Sequence, residues 1–365
     1  MPTRYRVAVI GRTGKGNYGH GLDTVWLDFP DRAEIVAVAD ENEMGRSAAQ
    51  RRLKCPKAYA DFRQMLETEK PQIVSVADRF LDRHRDMVIA CANAGAHIFL
   101  EKPIAPTLAE ADEMVAACEK NHVRCAIAHQ TRYSPQANRI RELLATGRIG
   151  DLVEMRGRGK EDQRGGGEDL MVLGTHILDL MRFFGGDPQW CFARILQGND
   201  AAGASAIRTG GEGMGLVQGD KAHATYGFPK GVVGTFSTLK AKDGAATRFG
   251  LQLLGTKGMI FISMGSLPPA FLVEDPSWGW RGQPKWQPIT SAGVGGAEPQ
   301  KDASLGAGNR AIVEDLFNSI EKQREPLGSL RDGRWTLEMI HGVYASHQKG
   351  AMVELPLKMR SHPLA

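Results

Sequence analysis

Three short stretches of this chain carry side chains in patterns that suit hydride and proton transfer. The first is a glycine cluster, Gly11-Arg12-Thr13-Gly14-Lys15-Gly16-Asn17-Tyr18-Gly19-His20-Gly21, directly after the β-branched run Arg6–Ile10. Glycines behind a strand let backbone N–H groups and a helix N-terminus close on a pyrophosphate. Counted from Gly11, the dinucleotide spacing G-x-G-x-x-G places Thr13 at the second glycine, while Gly14, Gly16 and Gly19 fit it three residues later. That offset predicts an enlarged phosphate loop. A Walker A loop does not fit, because no Ser or Thr follows Gly14-Lys15. Asp40 ends the second apolar run, where a carboxylate can accept both ribose hydroxyls of NAD and repel a 2′-phosphate. Arg12 leaves room for NADP.

The second stretch is Glu101-Lys102-Pro103, at the end of the strand-like run His97–Leu100. On an open parallel sheet, ligands bind outside the carboxyl ends of the strands. A lysine there can hold a substrate hydroxyl and stabilise the alkoxide that develops as hydride leaves. The third stretch runs from Gly165-Gly166-Gly167-Glu168-Asp169 to Gly174-Thr175-His176 and Asp179. His176 and Asp179 are three apart, on one face of a helix. Small residues beside the histidine favour close ligand contact, and imidazole is suited to take a hydroxyl proton near neutral pH.

These residues need a scaffold, and the first third of the chain supplies one. Continuous apolar runs at 6–10, 35–39, 73–77, 97–100 and 124–128 alternate with helix-length segments, the pattern of parallel strands covered on both faces. Thr107-Leu108-Ala109-Glu110 is a capping box, and Ser134-Pro135 supplies an N-cap and a proline at the first helical position. Beyond about residue 150 the pattern changes to antiparallel hairpins: runs at 222–228, 232–239, 249–254 and 259–262 are joined by short glycine turns. Residues 264–308 read as a long loop, two helices follow at 310–323 and 331–347, and 353–355 reads as a last strand. The fold class is therefore α/β, a doubly wound parallel sheet followed by an α+β domain with an open, largely antiparallel sheet.

Composition sets the outer bounds. The 365 residues exceed one ordinary core, and the 42% hydrophobic and 24% charged fractions are those of a globular chain. The 43 glycines lack a G-X-Y period. A net charge of +4 gives no electrostatic footprint for nucleic acid or a membrane. Five cysteines form no CxxC pair and no metal-like spacing, so buried free thiols and no metal site are expected. With no secretory h-region and no long apolar run, the sequence predicts a cytoplasmic protein.

Taken together, the motifs resemble the glucose-fructose oxidoreductase/inositol dehydrogenase/rhizopine-catabolism (Gfo/Idh/MocA) family. The resemblance rests on RVAVIG, EKP at 101–103, HQTRYSP at 129–135, GRIGDL at 147–152, GTHILDLMRFFGG at 174–186, NRAIVEDLFNSI and VELPL. It implies an N-terminal Rossmann domain over residues 1–130, a substrate-binding and oligomerisation domain over 131–350, and a tail over 351–365. It implies NAD, with NADP as the alternative, a sugar, inositol or related polyol as substrate, and a homo-oligomer, dimer or tetramer. Lys102 and His176 match the family's catalytic pair. Gly11, Arg12, Thr13, Gly14, Gly16, Asp40, Ala77, Asp78, Glu101 and Lys102 fall at cofactor-binding positions, and Arg132, Glu168, Asp169 and Asp179 at substrate-side ones.

Two departures stand out. The family often has an aspartate four residues before the histidine, where this chain has Val172, and Asp78-Arg79 replaces the common Thr-Pro-Asn. They leave two other classes open: a glycoside-cleaving lyase or hydrolase that oxidises its sugar transiently with bound NAD, and a non-catalytic sugar or cofactor binder. Trp278, Trp280 and Trp286 fit sugar stacking and a subunit interface equally well.

Overall fold

All five apolar runs of the first third are rungs of one parallel sheet. Its strands are β1 (Tyr5–Ile10), β2 (Ala33–Ala39), β3 (Lys57–Tyr59), β4 (Ile73–Val76), β5 (His97–Leu100) and β6 (Cys125–Ile127). The computed structural model, which describes residues 4–241, 243, 248–277, 283 and 285–365, orders them β3-β2-β1-β4-β5-β6. Strand order reverses between β1 and β4, so the ligand crevice of such a sheet lies at their carboxyl ends. Lys57-Ala58-Tyr59 has neither length nor β-branching, and β3 escaped the pattern for that reason.

Helices α1 (Glu43–Leu53), α2 (Phe62–Glu69), α3 (His84–Asn93) and α4 (Leu108–Lys120) form the later crossovers. Asn42, Asp61 and Thr107 cap three of them, accepting from Gly45 N, Arg63 N and Glu110 N. The first crossover corrects the sequence reading. Instead of an α-helix behind the glycine loop, residues 11–24 make turns, and only one 3-10 turn follows, Val25–Asp28. Five positive-φ residues (Gly14, Gly16, Asn17, Gly19 and Gly21) keep that stretch from winding into a helix.

The first compact unit is not contiguous in sequence. It comprises Met1–Ala128, Gly211–Gly215 and Leu305–Arg334. Helix Leu305–Glu321 belongs to it, and Phe317 stacks on Tyr5 at 5.3 Å and meets Phe29 and Trp26 edge-on at 5.6 and 6.1 Å.

The second unit comprises His129–Gly210, Leu216–Ser304 and Trp335–Ala365. It begins with helices α5 (Gln130–Tyr133) and α6 (Pro135–Ala145), the latter capped by Ser134, which accepts from Ala137 N. Its large sheet has eleven strands among the described residues. Central in it are the 152–158, 233–239, 221–227 and 190–197 strands on one side, and 250–255 and 259–263 on the other. Every pairing is antiparallel except one: residues 233–237 run parallel to 154–158. The stretch 264–308, expected as a loop, adds short strands at 270–273, 287–290 and 293–294 to the sheet. Its tryptophans Trp278 and Trp280 lie outside the described residues.

Helices α7 (Gly167–Val172) and α8 (Gly174–Gly185) meet at Leu173. Four apolar residues of α8, Ile177, Leu178, Leu180 and Met181, are buried. Each contributes about 1.5–3 kcal/mol relative to exposure. Gly157 of the sheet leaves the space taken by Ile177, since a Cβ there would sit 2.4 Å from its side chain.

Candidate active site

Asp40 is the hub of the glycine loop. Its carboxylate is 2% exposed and accepts from Thr13 N at 3.0 Å, Thr13 Oγ1 at 2.7 Å, Tyr18 OH at 2.9 Å and Asn42 N at 2.9 Å. Tyr18 lies flat against Gly11, where a Cβ would come within 2.3 Å of the ring. Burial, and then the Asp40 charge, push the Tyr18 phenol far above its ordinary pKa, so it stays a donor. Thr13, the residue off the glycine pattern, fits because helix α1 has Gly45 opposite it, 1.9 Å from Thr13 Oγ1 to a hypothetical Cβ. Gly14 by contrast has nothing within 4 Å of a Cβ position.

Arg12 reaches away from Asp40. It donates to Asp78 at 3.0 Å and to Asp82 at 2.7 Å, tying the loop to the end of β4. Asp78 is fully buried, and desolvation raises its pKa despite His84 and Arg12. Phe80 N and Arg12 both donate to its carboxylate, and Ala77 precedes it at the strand end, also buried. Arg79, the other half of the unusual dipeptide, pairs with Glu212.

At the carboxyl end of β5, Glu101 is fully buried. One oxygen pairs with His20 Nδ1 from the glycine loop, and the other, Oε2, is buried without a hydrogen-bond partner. Burial opposes the Glu101 charge most strongly, but the bond and charge of His20 together with the charges of Lys102 and His84 hold the carboxyl below its ordinary pKa. Lys102 follows, 8% exposed, and its peptide bond to Pro103 is cis.

His176 lies in the second unit, half-buried on α8. Its ring meets the His129 ring edge-on at 5.4 Å and Phe249 at 6.3 Å. His129 Nε2 lies 3.0 Å from Thr175 Oγ1, and Nδ1 lies 3.5 Å from Asp179 Oδ1. Arg132 donates to that same oxygen at 2.6 Å. Burial opposes the Asp179 charge, yet the Arg132 and His129 charges hold its carboxyl far below the ordinary range. Val172, the last residue of α7, is buried.

The glycines at 165–167 lie packed against the protein's own backbone. Cβ atoms there would fall within 2.2–2.5 Å of the backbone of residues 239–240, 219–220 and 218. The nearby carboxylates are likewise engaged. Glu168 pairs with Arg208 at 3.0 Å, Asp162 with Arg164 at 2.6 Å, and Glu161 with Arg158 and Arg248. Asp169 is fully buried, accepting from Thr238 Oγ1 and Glu161 N, and desolvation raises its pKa.

Three residues in these networks, Tyr18, His20 and His129, were not singled out from sequence, and Thr175 was marked only as a small neighbour of His176. For His129 and Thr175 a signal existed in the spacing. His129 and Arg132 are three apart and Thr175 and Asp179 four apart, so two helical faces carry matching polar pairs. Nothing in the sequence marked Tyr18 or His20, whose partners are 22 and 81 residues away.

Comparison with known proteins agrees across both units. Residues 5–129 match the oxidoreductase-family NAD-binding Rossmann fold, and residues 141–355 match the same family's C-terminal alpha/beta domain. D-apiose dehydrogenase of Paraburkholderia graminis is 29% identical, over 96% of this chain and 90% of its own length. Levoglucosan dehydrogenase of Pseudarthrobacter phenanthrenivorans is 24% identical, over 87% and 89%. A levoglucosan dehydrogenase structure, solved as a complex with NADH and L-sorbose, has the same fold, with a TM-score of 0.78 at 20% identity over 97% of this chain and 99% of that one. Two family matches, one over each half and between them spanning nearly all of its 365 residues, place this chain in the Gfo/Idh/MocA family of oxidoreductases.

Proposed function

We propose that this protein transfers hydride between a secondary alcohol of a sugar, inositol or related polyol and NAD. The observation that carries the reading is Glu101-Lys102 at the carboxyl end of β5, with one buried Glu101 oxygen unmatched. A buried carboxylate oxygen without a donor fits a ligand that brings one. Nothing lies within 4 Å of a Cβ position at Gly14, in the loop behind β1, which leaves room for a ligand to come close to that backbone. The dinucleotide thus has residues to hold it: the loop from Gly11 to Gly16, the Asp40 hub, the Ala77-Asp78 strand end, and Glu101. When bound, it supplies the hydride acceptor.

The chain's own residues do the rest. Lys102 holds the substrate hydroxyl and stabilises its developing negative charge, and His176 takes the hydroxyl proton. The Asp40 carboxylate spends its hydrogen bonds within the loop but still disfavours a 2′-phosphate at the end of β2, and Arg12 is committed to two carboxylates, which favours NAD over NADP. Outward-facing Phe192 and Phe271, both exposed on the large sheet, support a homo-oligomer formed through that face. Five free cysteines suit a reducing, cytoplasmic setting. No helix among the described residues is long and apolar enough to cross a membrane.

The test is absorbance at 340 nm with NAD or NADP and a panel of D-apiose, levoglucosan, myo-inositol and common aldoses. Steady NADH formation is expected, with kcat/KM lower by about 10²–10⁴-fold in Lys102→Ala and His176→Ala. Failure of the purified protein to bind NAD(H) would remove the reading.

A further inference from the structure

Val172 presents an apolar side chain four residues before His176, so no carboxylate at that position orients the imidazole. The structure puts another group beside it. His129 is 2% exposed, and its ring lies between two side chains of α8, Thr175 and Asp179. These are four residues apart and therefore on one face of the helix, and Thr175 is the residue directly before His176. From the other segment Arg132, one turn beyond His129, bonds Asp179 at 2.6 Å. The two contacts, 129 to 175 and 132 to 179, lock α5 against α8 and leave the His129 ring little freedom. Its edge-on contact with His176 at 5.4 Å, with Phe249 on the same imidazole at 6.3 Å, then limits the orientations open to His176.

We propose that His129 is the positioning residue of His176: fixed by Thr175 and the Arg132–Asp179 pair, it holds the imidazole in the orientation that proton abstraction requires, in place of a carboxylate at position 172. This rests on the reading of His176 as the group that takes the substrate proton. The charged groups around His129 are Asp179 and Arg132, with Arg182 also acting on Asp179.

Two near-isosteric variants test it in the full-length protein with NAD. His129→Phe keeps a ring but loses both nitrogens, and Thr175→Val removes only the hydroxyl that meets Nε2. With whichever of D-apiose, levoglucosan and myo-inositol is oxidised, both are expected to lower kcat about ten- to hundredfold, with KM within about twofold, because misaimed reacting groups cost that much. Both should also move the pH profile of kcat. Nitrogen-15 spectra of the histidine rings, with His176 assigned from its loss in His176→Gln, give a readout that needs no substrate. A changed His176 tautomer or titration in both variants supports the proposal. An unchanged His176 signal in both, together with the parent pH profile wherever a sugar is oxidised, overturns it and leaves His129 a packing residue. If His176→Gln keeps full kcat, the role of His176 as base fails, while the ring spectra still decide whether His129 orients it.

Discussion

Tyr18 donates a 2.9 Å hydrogen bond to Oδ2 of Asp40, and both are buried beneath the glycine loop. The loop is thereby closed from below by its own side chains: a phenol lying on Gly11, and a threonine bonded to the same carboxylate. An acidic residue at the end of β2 acts here first as the anchor of that loop.

Tyr18→Phe removes one donor from a buried carboxylate while preserving the ring against Gly11. It is expected to cost about 1.5–3 kcal/mol of stability, the range for one hydrogen bond to a charged group, since Thr13 still donates to the same oxygen. NADH affinity, read by quenching of protein fluorescence, should weaken several-fold. Unchanged affinity with a lowered melting temperature would show that the clasp supports the fold and not the cofactor loop.

Gly45→Ala should be harmful despite the better helix propensity of alanine, worth about 1 kcal/mol. The new methyl meets Thr13 Oγ1 and must displace it, breaking the bond from Thr13 to Asp40. Weaker NADH binding is expected from Gly45→Ala alone. Thr13→Gly in the same chain removes all three side-chain atoms that the methyl meets, whereas Thr13→Ala would leave a Cβ 2.4 Å away, and the melting temperature of the Gly double variant should recover part of the loss.

Removing one side of the Arg132–Asp179 pair strands a buried charge. Asp179→Asn is expected to cost about 3–5 kcal/mol, measured by urea denaturation. Arg132→Met with Asp179→Leu should fall much closer to the parent stability, since a buried ion pair can be replaced by apolar residues at little cost. A single variant as stable as the parent would mean that the pair is solvated.

Acidification should weaken the glycine loop before the rest of the first unit. Glu101 has its pKa depressed in the folded protein by His20. Its contribution is therefore complete above the unfolded glutamate pKa of about 4.3, and is lost as pH falls below that through the depressed folded value. His20→Gln should reduce this acid-side slope in chemical denaturation. It should also lower NADH affinity at neutral pH, because Glu101 loses the partner that holds it.

Much of this architecture was legible in the chain. The runs ending at Ile10, Ala39 and Leu100 are buried parallel strands because Val, Ile, Leu, Phe and Ala fill most of their positions, and the FPKGVV and LGTKGM turns join antiparallel neighbours. The residues at the ends of those strands, Asp40 and Glu101-Lys102, were legible too, since strand ends locate a ligand crevice. What escaped was set by contacts distant in sequence. Gly165–Gly167 look like a ligand loop, yet they are small because strand backbones lie against them. Strands 270–273, 287–290 and 293–294 pair through their backbones, without the alternation that marks a strand. Parallel pairing of 233–237 with 154–158 joins segments about 80 residues apart, and no local pattern encodes that.

Helix Leu305–Glu321 has a consequence for how the protein is made. Phe317 completes the aromatic cluster of Tyr5, Trp26 and Phe29, residues translated nearly three hundred positions earlier. At synthesis rates of about 5–20 residues per second, the ribosome needs roughly 15–60 s to deliver that helix after the first strand. Throughout that interval the nascent nucleotide-binding half exposes Tyr5, Trp26 and Phe29, a surface that chaperones recognise and that a clone ending near residue 130 would display permanently.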